Sequence, residues 1–169
     1  TSPDHPWVQQ HPDFYFRNAQ GEPSVPSDPD GKLTDWDDVV QLDFKNPEVR
    51  REMIATMRWW LDEFGIDGFR VDVAGFIPYD FWREAIPALR ASTPRRLLFL
   101  AEWGDLELHR TGYDLTYAWD SRVRLIKVWG GAPASGYVAD ELADLPNMPV
   151  AGMRTRSPPH HHQIPAGRP

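Results

Sequence analysis

Asp72 and Glu102 each stand at the end of a stretch that has the pattern of a β-strand. In residues 68–73 (GFRVDV), apolar side chains alternate with a second face that carries Arg70 and Asp72. Residues 97–103 (LLFLAEW) are a nearly continuous apolar run that ends near Glu102, as in strands covered on both faces. Catalytic groups of parallel α/β folds gather at the carboxyl ends of the strands, so we expect the two carboxylates to lie side by side.

Paired carboxylates at neighbouring strand ends are the groups that cleave glycosidic bonds. A retaining mechanism needs one ionised carboxylate as nucleophile and one protonated carboxylic acid, about 5 to 5.5 Å apart. Arg70 is two residues from Asp72 on the same face, where its charge favours an ionised, nucleophilic Asp72. Glu102 has the more apolar sequence around it, which suits an acid. The next residue, Trp103, is expected to stack on a sugar ring.

Each of these residues also has a purely structural interpretation. Arg70 and Asp72 can form an ion pair on a half-exposed strand, and Glu102 by itself can be an ordinary strand-end residue. Acidic residues crowd segment 35–43 (DWDDVVQLD), but EF-hand spacing is absent and a solvated loop is favoured over a calcium site. The three histidines at 160–162 follow polar, proline-rich sequence, which favours a solvated tail or a processing artefact over a metal site.

A loop-rich segment and a helix precede the first strand. Residues 1–45 carry many prolines and aromatics without a sustained period, which indicates a long irregular segment. Asn46 and Pro47 are typical of a helix start, and apolar residues at helical spacing continue until Gly65. The positions expected to face the core are Met53, Ile54, Met57, Trp59, Trp60, Leu61 and Phe64.

A second helix and a further strand follow the first strand. Pro78 opens the helix, and Pro87 is expected to kink it or to end it early. Residues 114–119 (DLTYAW) are a candidate strand, and residues 121–144 are expected to be helical with an interruption at GGAPASG. This succession of helices and strands predicts parallel strands with helices outside them. The tail from Met153 is polar and proline-rich, and we expect it to be disordered.

The composition fits a globular enzyme that acts on a neutral partner. The 169 residues are 41% hydrophobic and 12% aromatic, enough for one domain with a sizeable core. A formal net charge of -7 argues against nucleic acid or an anionic membrane as a partner, because both are negatively charged. The absence of cysteine excludes disulfides and thiol chemistry. The oligomeric state stays open. The compartment, secreted or cytoplasmic, also stays open, because the chain does not begin with methionine and an upstream part is expected.

Together, these motifs resemble the α-amylase family, glycoside hydrolase family 13. The stretch GFRVDVA resembles the family's fourth barrel strand, which carries the nucleophile two residues after an arginine, and AEW resembles the fifth strand, which carries the acid/base glutamate. TSPDHPW, FKNPEVRREM and YDLTYAWD are similar to family segments that follow the third strand, begin the third helix and lead to the sixth strand. The resemblance covers about residues 1–145. It implies that Asp72 is the nucleophile, Arg70 its partner and Glu102 the acid/base.

The resemblance implies a fold as well as a reaction. The α/β chain would be a fragment of a (β/α)8 TIM barrel, from the end of the third strand through about the sixth helix. Residues 1–45 would be a loop-rich insertion, 46–145 a partial catalytic barrel and 146–169 a disordered or non-native tail. The activity would be hydrolysis of α-glucosidic bonds in an α-glucan or malto-oligosaccharide through a glycosyl-enzyme. Transglycosylation by the same intermediate, and a non-catalytic glucan-binding or scaffold role, are the alternatives.

Several positions depart from the family pattern. The family's Asn-His pair would lie just before Thr1, and no His-Asp pair, which carries the third family carboxylate, follows residue 120. Because a whole barrel takes about 250 residues, we expect the isolated chain to be inactive or nearly so. Gln41 stands where many members have an aspartate calcium ligand, so no cofactor is expected and calcium is the alternative. Gly75 and Phe76 replace a Lys-His pair that some members carry after the nucleophile.

Overall fold

A computed structural model describes residues 1–144 and 153–155. Its α-helices are α1 (Pro6–Gln10), α2 (Pro47–Phe64), α3 (Tyr79–Ala91), α4 (Glu107–Arg110), α5 (Trp119–Trp129) and α6 (Ala134–Asp144). Its strands are β1 (Gly68–Val71), β2 (Leu98–Ala101), β3 (Leu115–Tyr117) and β4 (Met153–Thr155). Short 3-10 turns cover Pro12–Phe14 and Ala74–Phe76. From α2 to α5, helices alternate with strands as the sequence predicts.

The strands form one parallel sheet in the chain order β1-β2-β3-β4. Val71 at the end of β1 pairs with Ala101 at the end of β2, so both strands end at the same level. Leu100 of β2 pairs in turn with Leu115 of β3. Helix α3 connects β1 to β2, as a parallel pair requires a crossover rather than a hairpin. The predicted parallel α/β arrangement is confirmed.

Helix α2 begins and ends where its sequence predicts. The side-chain oxygen of Asn46 accepts a hydrogen bond from a backbone N–H of the first turn at 2.9 Å, and Pro47 holds the first helical position. Gly65 ends the helix in a left-handed conformation with φ 62°, which glycine adopts without a steric penalty. Arg95, which precedes β2, donates to backbone carbonyls around this helix end. These contacts fix the direction in which the chain enters β1.

Helix α3 continues through Pro87 to Ala91. Of the two predicted effects of this proline, the early end of the helix is wrong, and the kink stays a prediction. A proline deprives one helical carbonyl of its hydrogen bond, but Pro87 lies on the exposed face, where water can replace it. The opposite face is buried. Its buried residues are Phe81, Trp82, Ala85, Ile86 and Leu89. Their burial, worth about 1.5 to 3 kcal/mol for each large apolar side chain, outweighs the loss of one hydrogen bond.

The aromatic residues at the end of α2 lie at the surface, which corrects their predicted place in the core. Trp59, Trp60 and Phe64 are 50%, 43% and 59% exposed, and their ring centres lie 4.8 to 5.2 Å from one another. The helix instead buries a narrower stripe that includes Met57 and Leu61. The apolar stripe predicted for α2 is wider than the surface that the described neighbours of this helix cover. Residues at the edge of the stripe are therefore exposed to solvent.

Both strands of the candidate site are shorter than their sequence patterns. The patterns extend to residues 73 and 103, whereas β1 ends at Val71 and β2 ends at Ala101. Asp72 and Glu102 are therefore the first residues after their strands. Strand β3 confirms the candidate strand within residues 114–119.

Helices α5 and α6 occupy the region that the sequence predicts to be helical. Helix α5 ends at Trp129 and α6 begins at Ala134, so the break lies at the predicted interruption. Arg124 of α5 lies 3.5 Å from a carboxylate oxygen of Asp140 and of Glu141 in α6, and these ion pairs join the two helices. No helix of the described part of the chain is long and apolar enough to cross a membrane.

The first 45 residues are irregular but are anchored in the main core. Besides α1 and one 3-10 turn, they contain isolated antiparallel bridges, among them Tyr15 with Leu42. Phe14, Tyr15, Val40 and Phe44 are buried and belong to the same core as α3 and β2. This segment therefore packs directly on the sheet-and-helix layer, although its boundary at residue 45 remains a prediction.

Three residues of the predicted disordered tail are ordered. Met153–Thr155 form β4 and pair in parallel with Leu115–Tyr117 of β3. The edge of β3 offers backbone N–H and C=O groups to any extended segment, so pairing here does not depend on the apolar periodicity that the tail lacks. The rest of the predicted tail, residues 146–152 and 156–169, lies outside the described residues.

Candidate active site

The ends of β1 and β2 bring the predicted carboxylates together. The pairing of Val71 with Ala101 places Asp72 and Glu102 at the same level of neighbouring parallel strands. The backbone N–H of Glu102 donates to the carbonyl of Val71 at 2.9 Å, which continues the ladder by one bond beyond the strand. The sequence predicts this juxtaposition from two separate apolar patterns.

Arg70 lies between the two carboxylates and contacts both of them. Its guanidinium forms an ion pair with Asp72 Oδ1 and another with Glu102 Oε1, the latter at 2.5 Å. It also lies 6.0 Å from the ring centre of Tyr117 in β3. Burial alone would lower the pKa of Arg70, but hydrogen bonds to Tyr117 and Asp72 and the charge of Glu102 raise it above its ordinary value. The predicted partner of Asp72 is thus a cation shared with Glu102, a contact that the sequence did not reveal.

The two carboxylates differ in exposure and in how tightly they are held. The side chain of Asp72 is 75% exposed, whereas that of Glu102 is 9% exposed. One oxygen of Glu102 meets Arg70, and the other accepts a hydrogen bond from the backbone N–H of Val73 at 3.2 Å. Glu102 is therefore fixed in orientation, and Asp72 is accessible to a ligand.

Val73 has a strained backbone immediately after the candidate nucleophile. Its φ of 39° and ψ of 50° are left-handed, a region that β-branched residues rarely adopt and that costs about 1 to 3 kcal/mol. This conformation turns the chain out of β1 and directs the N–H of Val73 at Glu102. This turn is not visible in the sequence, because a valine in an alternating pattern indicates a continuing strand.

Trp103 lies beside the site but is packed rather than fully open. Its indole lies against the backbone of Gly75, where an added Cβ would approach the ring to 2.2 Å. It also makes edge-to-face contacts with Phe76 and Trp119, at centroid distances of 5.7 and 6.0 Å. The expectation that Trp103 stacks on a sugar stays a prediction.

A cavity of about 370 Å³ borders Asp72, between the first 45 residues and the turn after β1. Trp36 and Phe76 form part of its wall, and their rings are stacked with centres 5.2 Å apart. The sequence did not single out Trp36 as a site residue, and Phe76 stood out only as a departure from a family motif. The local sequence does not predict the contact between Trp36 and Phe76, because this contact depends on how the first 45 residues pack against the turn after β1.

The histidines of the described residues have structural roles. The ring nitrogens of buried His109 lie 3.2 Å from the Tyr113 carbonyl oxygen and 3.0 Å from the Thr116 hydroxyl, which ties α4 to β3. His5 and His11 contact the ring of Trp7 edge-on. The histidines at 160–162 lie outside the described residues.

The side chain of Gln41 links two parts of the first 45 residues. Its Oε1 accepts hydrogen bonds from the backbone N–H of Ser27 at 3.1 Å and from the Ser27 hydroxyl at 3.3 Å. Within residues 1–144 and 153–155, no three His, Cys, Asp or Glu side chains are grouped so that they could hold a metal ion. The expectation that no cofactor is bound, with calcium as the alternative, stays a prediction.

A parallel sheet that presents paired carboxylates and a shared arginine at neighbouring strand ends has the architecture of a (β/α)8-barrel enzyme. Comparison with known proteins identifies the family of enzymes. Residues 33–137 match the family model of the α-amylase catalytic domain. The chain therefore belongs to the α-amylase family.

Relatives of known structure share the fold. A maltogenic α-amylase from Thermotoga neapolitana aligns with a TM-score of 0.74 and 33% identity, over 92% of this chain and 35% of that protein. An α-amylase from Lactobacillus plantarum aligns with a TM-score of 0.78 and 28% identity, over 91% of this chain and 38% of that protein. They confirm the predicted fold class, part of a (β/α)8 barrel.

One relative in sequence is named as a transferase. The α-1,4-glucan:maltose-1-phosphate maltosyltransferase of Corynebacterium glutamicum is 34% identical over 104 residues. This match covers 60% of the chain but only 15% of the maltosyltransferase. The chain thus spans a small part of the relative's length, and family membership does not decide between hydrolysis and transfer.

Proposed function

We propose that this chain carries the nucleophile and the acid/base of a retaining enzyme that cleaves α-glucosidic bonds. The observation that carries the proposal is the contact of Arg70 with both Asp72 and Glu102 at the ends of adjacent parallel strands. A structural ion pair needs only one carboxylate, whereas a double displacement needs two, a nucleophile and an acid/base that flank the scissile glycosidic bond.

The reaction has two steps. In the first, a carboxylate oxygen of Asp72 bonds to the anomeric carbon while the bond to the leaving glycosidic oxygen breaks, and Glu102 gives that oxygen its proton. In the second, Glu102 takes a proton from water, and the water oxygen displaces Asp72 from the anomeric carbon. The exposure of Asp72 suits attack on a ligand, and the fixed orientation of Glu102 suits directed proton transfer.

The proposed substrate is an α-glucan or a malto-oligosaccharide. The names of the relatives support this class, since the Corynebacterium protein is an α-1,4-glucan maltosyltransferase and the structural neighbours are amylases. A neutral polysaccharide also suits a chain of net charge -7, which would repel an anionic partner. No step requires a metal or an organic cofactor.

Substitution of each carboxylate tests the assignment. In an enzyme that carries this segment within a complete barrel, Asp72→Asn and Glu102→Gln should each lower kcat/KM on malto-oligosaccharides about a thousandfold or more. Release of reducing ends is the measurement. Asp62→Asn and Glu63→Gln, matched changes at exposed positions of α2, are the controls and should leave the rate unchanged.

A trapping experiment identifies the nucleophile independently. A fluorinated glucosyl fluoride that slows the second step should add one glycosyl mass to the peptide that contains Asp72. An adduct on another carboxylate, or nearly full activity in Asp72→Asn or Glu102→Gln, would show that the assignment is wrong.

Glycosyl transfer is the second candidate, and the maltosyltransferase relative favours it. Both reactions share the glycosyl-enzyme on Asp72 and differ only in whether water or a sugar hydroxyl displaces it. Product analysis separates them. Accumulation of longer oligosaccharides at high substrate concentration indicates transfer, whereas a rise in reducing ends alone indicates hydrolysis.

A further inference from the structure

A second cavity, of about 320 Å³, lies at the end of the sheet opposite to the candidate active site. It is lined by Arg90, Arg95, Arg96, Leu97 and Asp114. Leu97 immediately precedes β2 and Asp114 immediately precedes β3, whereas the candidate catalytic carboxylates follow the other ends of β1 and β2. At about 3.3 Å per residue of strand, Leu97 and Glu102 are roughly 15 Å apart. The two sites are therefore separate.

The lining of this second cavity is positively charged, although the whole chain is acidic. Three guanidinium groups and one carboxylate line it, in a chain whose formal net charge is -7. The carboxylate of Asp114 is already engaged, since its Oδ2 accepts from the backbone N–H of Phe99 and from Arg90, each at 2.8 Å. Asp67, which lies 3.5 Å from Arg95, is exposed, so water and salt screen its charge. The cavity therefore keeps an excess of positive charge.

Two of the three guanidinium groups are held in place by the fold. Arg95 donates hydrogen bonds of 2.7 and 3.0 Å to backbone carbonyls around the end of α2. Arg90 is held by its ion pair with Asp114 and by the ring of Phe99, whose centre lies 5.4 Å from the guanidinium carbon. Both arginine side chains stay partly exposed, 39% for Arg90 and 36% for Arg95. An anion that enters the cavity therefore meets two charges whose positions are fixed before it binds, which lowers the entropy cost of binding.

Arg96 is the third guanidinium, and it is exposed beside the two that are fixed. Within residues 1–144 and 153–155, neither an ion pair nor a hydrogen bond engages its side chain. All five N–H donors of the guanidinium are thus available to a ligand. The planar fork of these donors matches two oxygens of a phosphate group, which it can bind through two parallel hydrogen bonds.

We propose that this second cavity binds a phosphate group, with Arg96 as the residue that contacts it and Arg90 and Arg95 as the fixed charges that attract it. A phosphate dianion balances the excess positive charge and offers several oxygens to the arginine fork. The volume of about 320 Å³ is at the lower end of the range of about 300 to 1,000 Å³ that is usual for ligand sites. It admits inorganic phosphate or a small phosphate monoester. This site does not depend on the proposed function.

Calorimetric titration of inorganic phosphate and of methyl phosphate into the complete 169-residue chain tests the site. We expect saturable binding, weakened at least tenfold by Arg96→Ala. Arg96→Lys keeps the charge but loses the planar fork, and should weaken binding about three- to tenfold. Arg58→Ala removes an exposed arginine of α2 outside the cavity and should bind within about twofold of the parent. If methyl phosphate binds at least as tightly as inorganic phosphate, the ligand is a monoester, and weaker binding identifies the free ion.

Further measurements separate this site from the active site and from general charge effects. Because Arg96 is exposed, Arg96→Ala should fold like the parent, and circular dichroism confirms this before titration. Asp72→Asn should bind phosphate like the parent, since that carboxylate lies at the opposite end of the sheet. Absence of saturable binding of both anions overturns the site. An equal loss of affinity in Arg96→Ala and Arg58→Ala, or a change of tenfold or more in Asp72→Asn, also overturns it.

Discussion

Arg70 is the residue on which the geometry of the candidate site depends. Its planar guanidinium can contact two acceptors in different directions, which a lysine ammonium on a flexible stem does not reproduce. Here the acceptors are Asp72 and Glu102, one exposed and the other almost enclosed. Against the effect of burial, hydrogen bonds to Tyr117 and Asp72 and the charge of Glu102 hold the pKa of Arg70 above its ordinary value, so the guanidinium is charged. The arginine therefore fixes the separation of the two carboxylates.

Removal of Arg70 should destabilise the chain through Glu102. In Arg70→Ala, the nearly enclosed Glu102 loses its cation, and the free energy of unfolding should fall by about 1 to 3 kcal/mol. Arg70→Ala combined with Glu102→Gln should recover part of this loss. Urea denaturation measures the free energy of unfolding of the unsubstituted chain, of Arg70→Ala and of the double variant. Arg58→Ala, which breaks an exposed ion pair on α2, is the control, with a loss below about 1 kcal/mol. No recovery in the double variant would contradict the coupling.

At the scale of elements, the irregular first segment is held to the site by hydrogen bonds and aromatic packing. Gln41 binds Ser27 through its side chain, and the backbone N–H of Val40 donates to the carbonyl of Thr1 at 2.7 Å. Trp36 stacks on Phe76 and so joins this segment to the turn after β1. The segment thus has a direct role in the shape of the cavity beside Asp72.

Gln41 should stabilise this segment without calcium. Gln41→Ala removes the acceptor of two hydrogen bonds and should lower the free energy of unfolding by about 1 kcal/mol. Chelation of calcium should leave the melting temperature of the unsubstituted chain unchanged. Gln20→Ala, at an exposed turn position, is the matched control. A melting temperature that rises with calcium concentration would reveal a bound ion and contradict the expectation.

Local signals predicted the elements well, and tertiary contacts account for what the sequence missed. The ends of α2 follow from Asn46 and Gly65, whose effects act within one turn of the helix. The paired carboxylates follow from strand-end positions, since parallel strands share a carboxyl end. Periodicity predicts Trp60 in the core because it gives the direction of an apolar stripe and not the width that the neighbouring elements cover. The alternating pattern predicts Val73 in the strand because the contact of its N–H with Glu102 is distant in the sequence.

At the scale of the whole molecule, the described residues supply half of the strands of a barrel. They form four parallel strands, whereas a (β/α)8 barrel closes with eight. The resulting surface is unusually apolar in places. Exposed apolar residues on the helices include Trp59, Trp60 and Phe64 of α2, Val123, Ile126 and Trp129 of α5, and Val138 and Leu142 of α6. Stability of the chain therefore depends on the buried core that α2, α3, the sheet and the first 45 residues share.

Two neighbouring substitutions on α2 test where that core lies. Leu61 is fully buried, and Leu61→Ala should lower the free energy of unfolding by about 2 to 5 kcal/mol. Trp60→Gln removes a larger side chain but one at the surface, and should cost about 1 kcal/mol or less. Thermal and urea denaturation give both values. A greater loss for Trp60→Gln than for Leu61→Ala would indicate that the aromatic cluster is part of the core, which would contradict the structure.

The contact between Gly75 and Trp103 makes two distant positions interdependent. An indole at position 103 excludes every side chain larger than hydrogen at position 75. A mutation at position 75 is therefore neutral or damaging according to what occupies position 103, which is a case of epistasis. Related chains should accordingly exchange residues at these two positions together, and a single change at either one marks an unfavourable intermediate in their divergence.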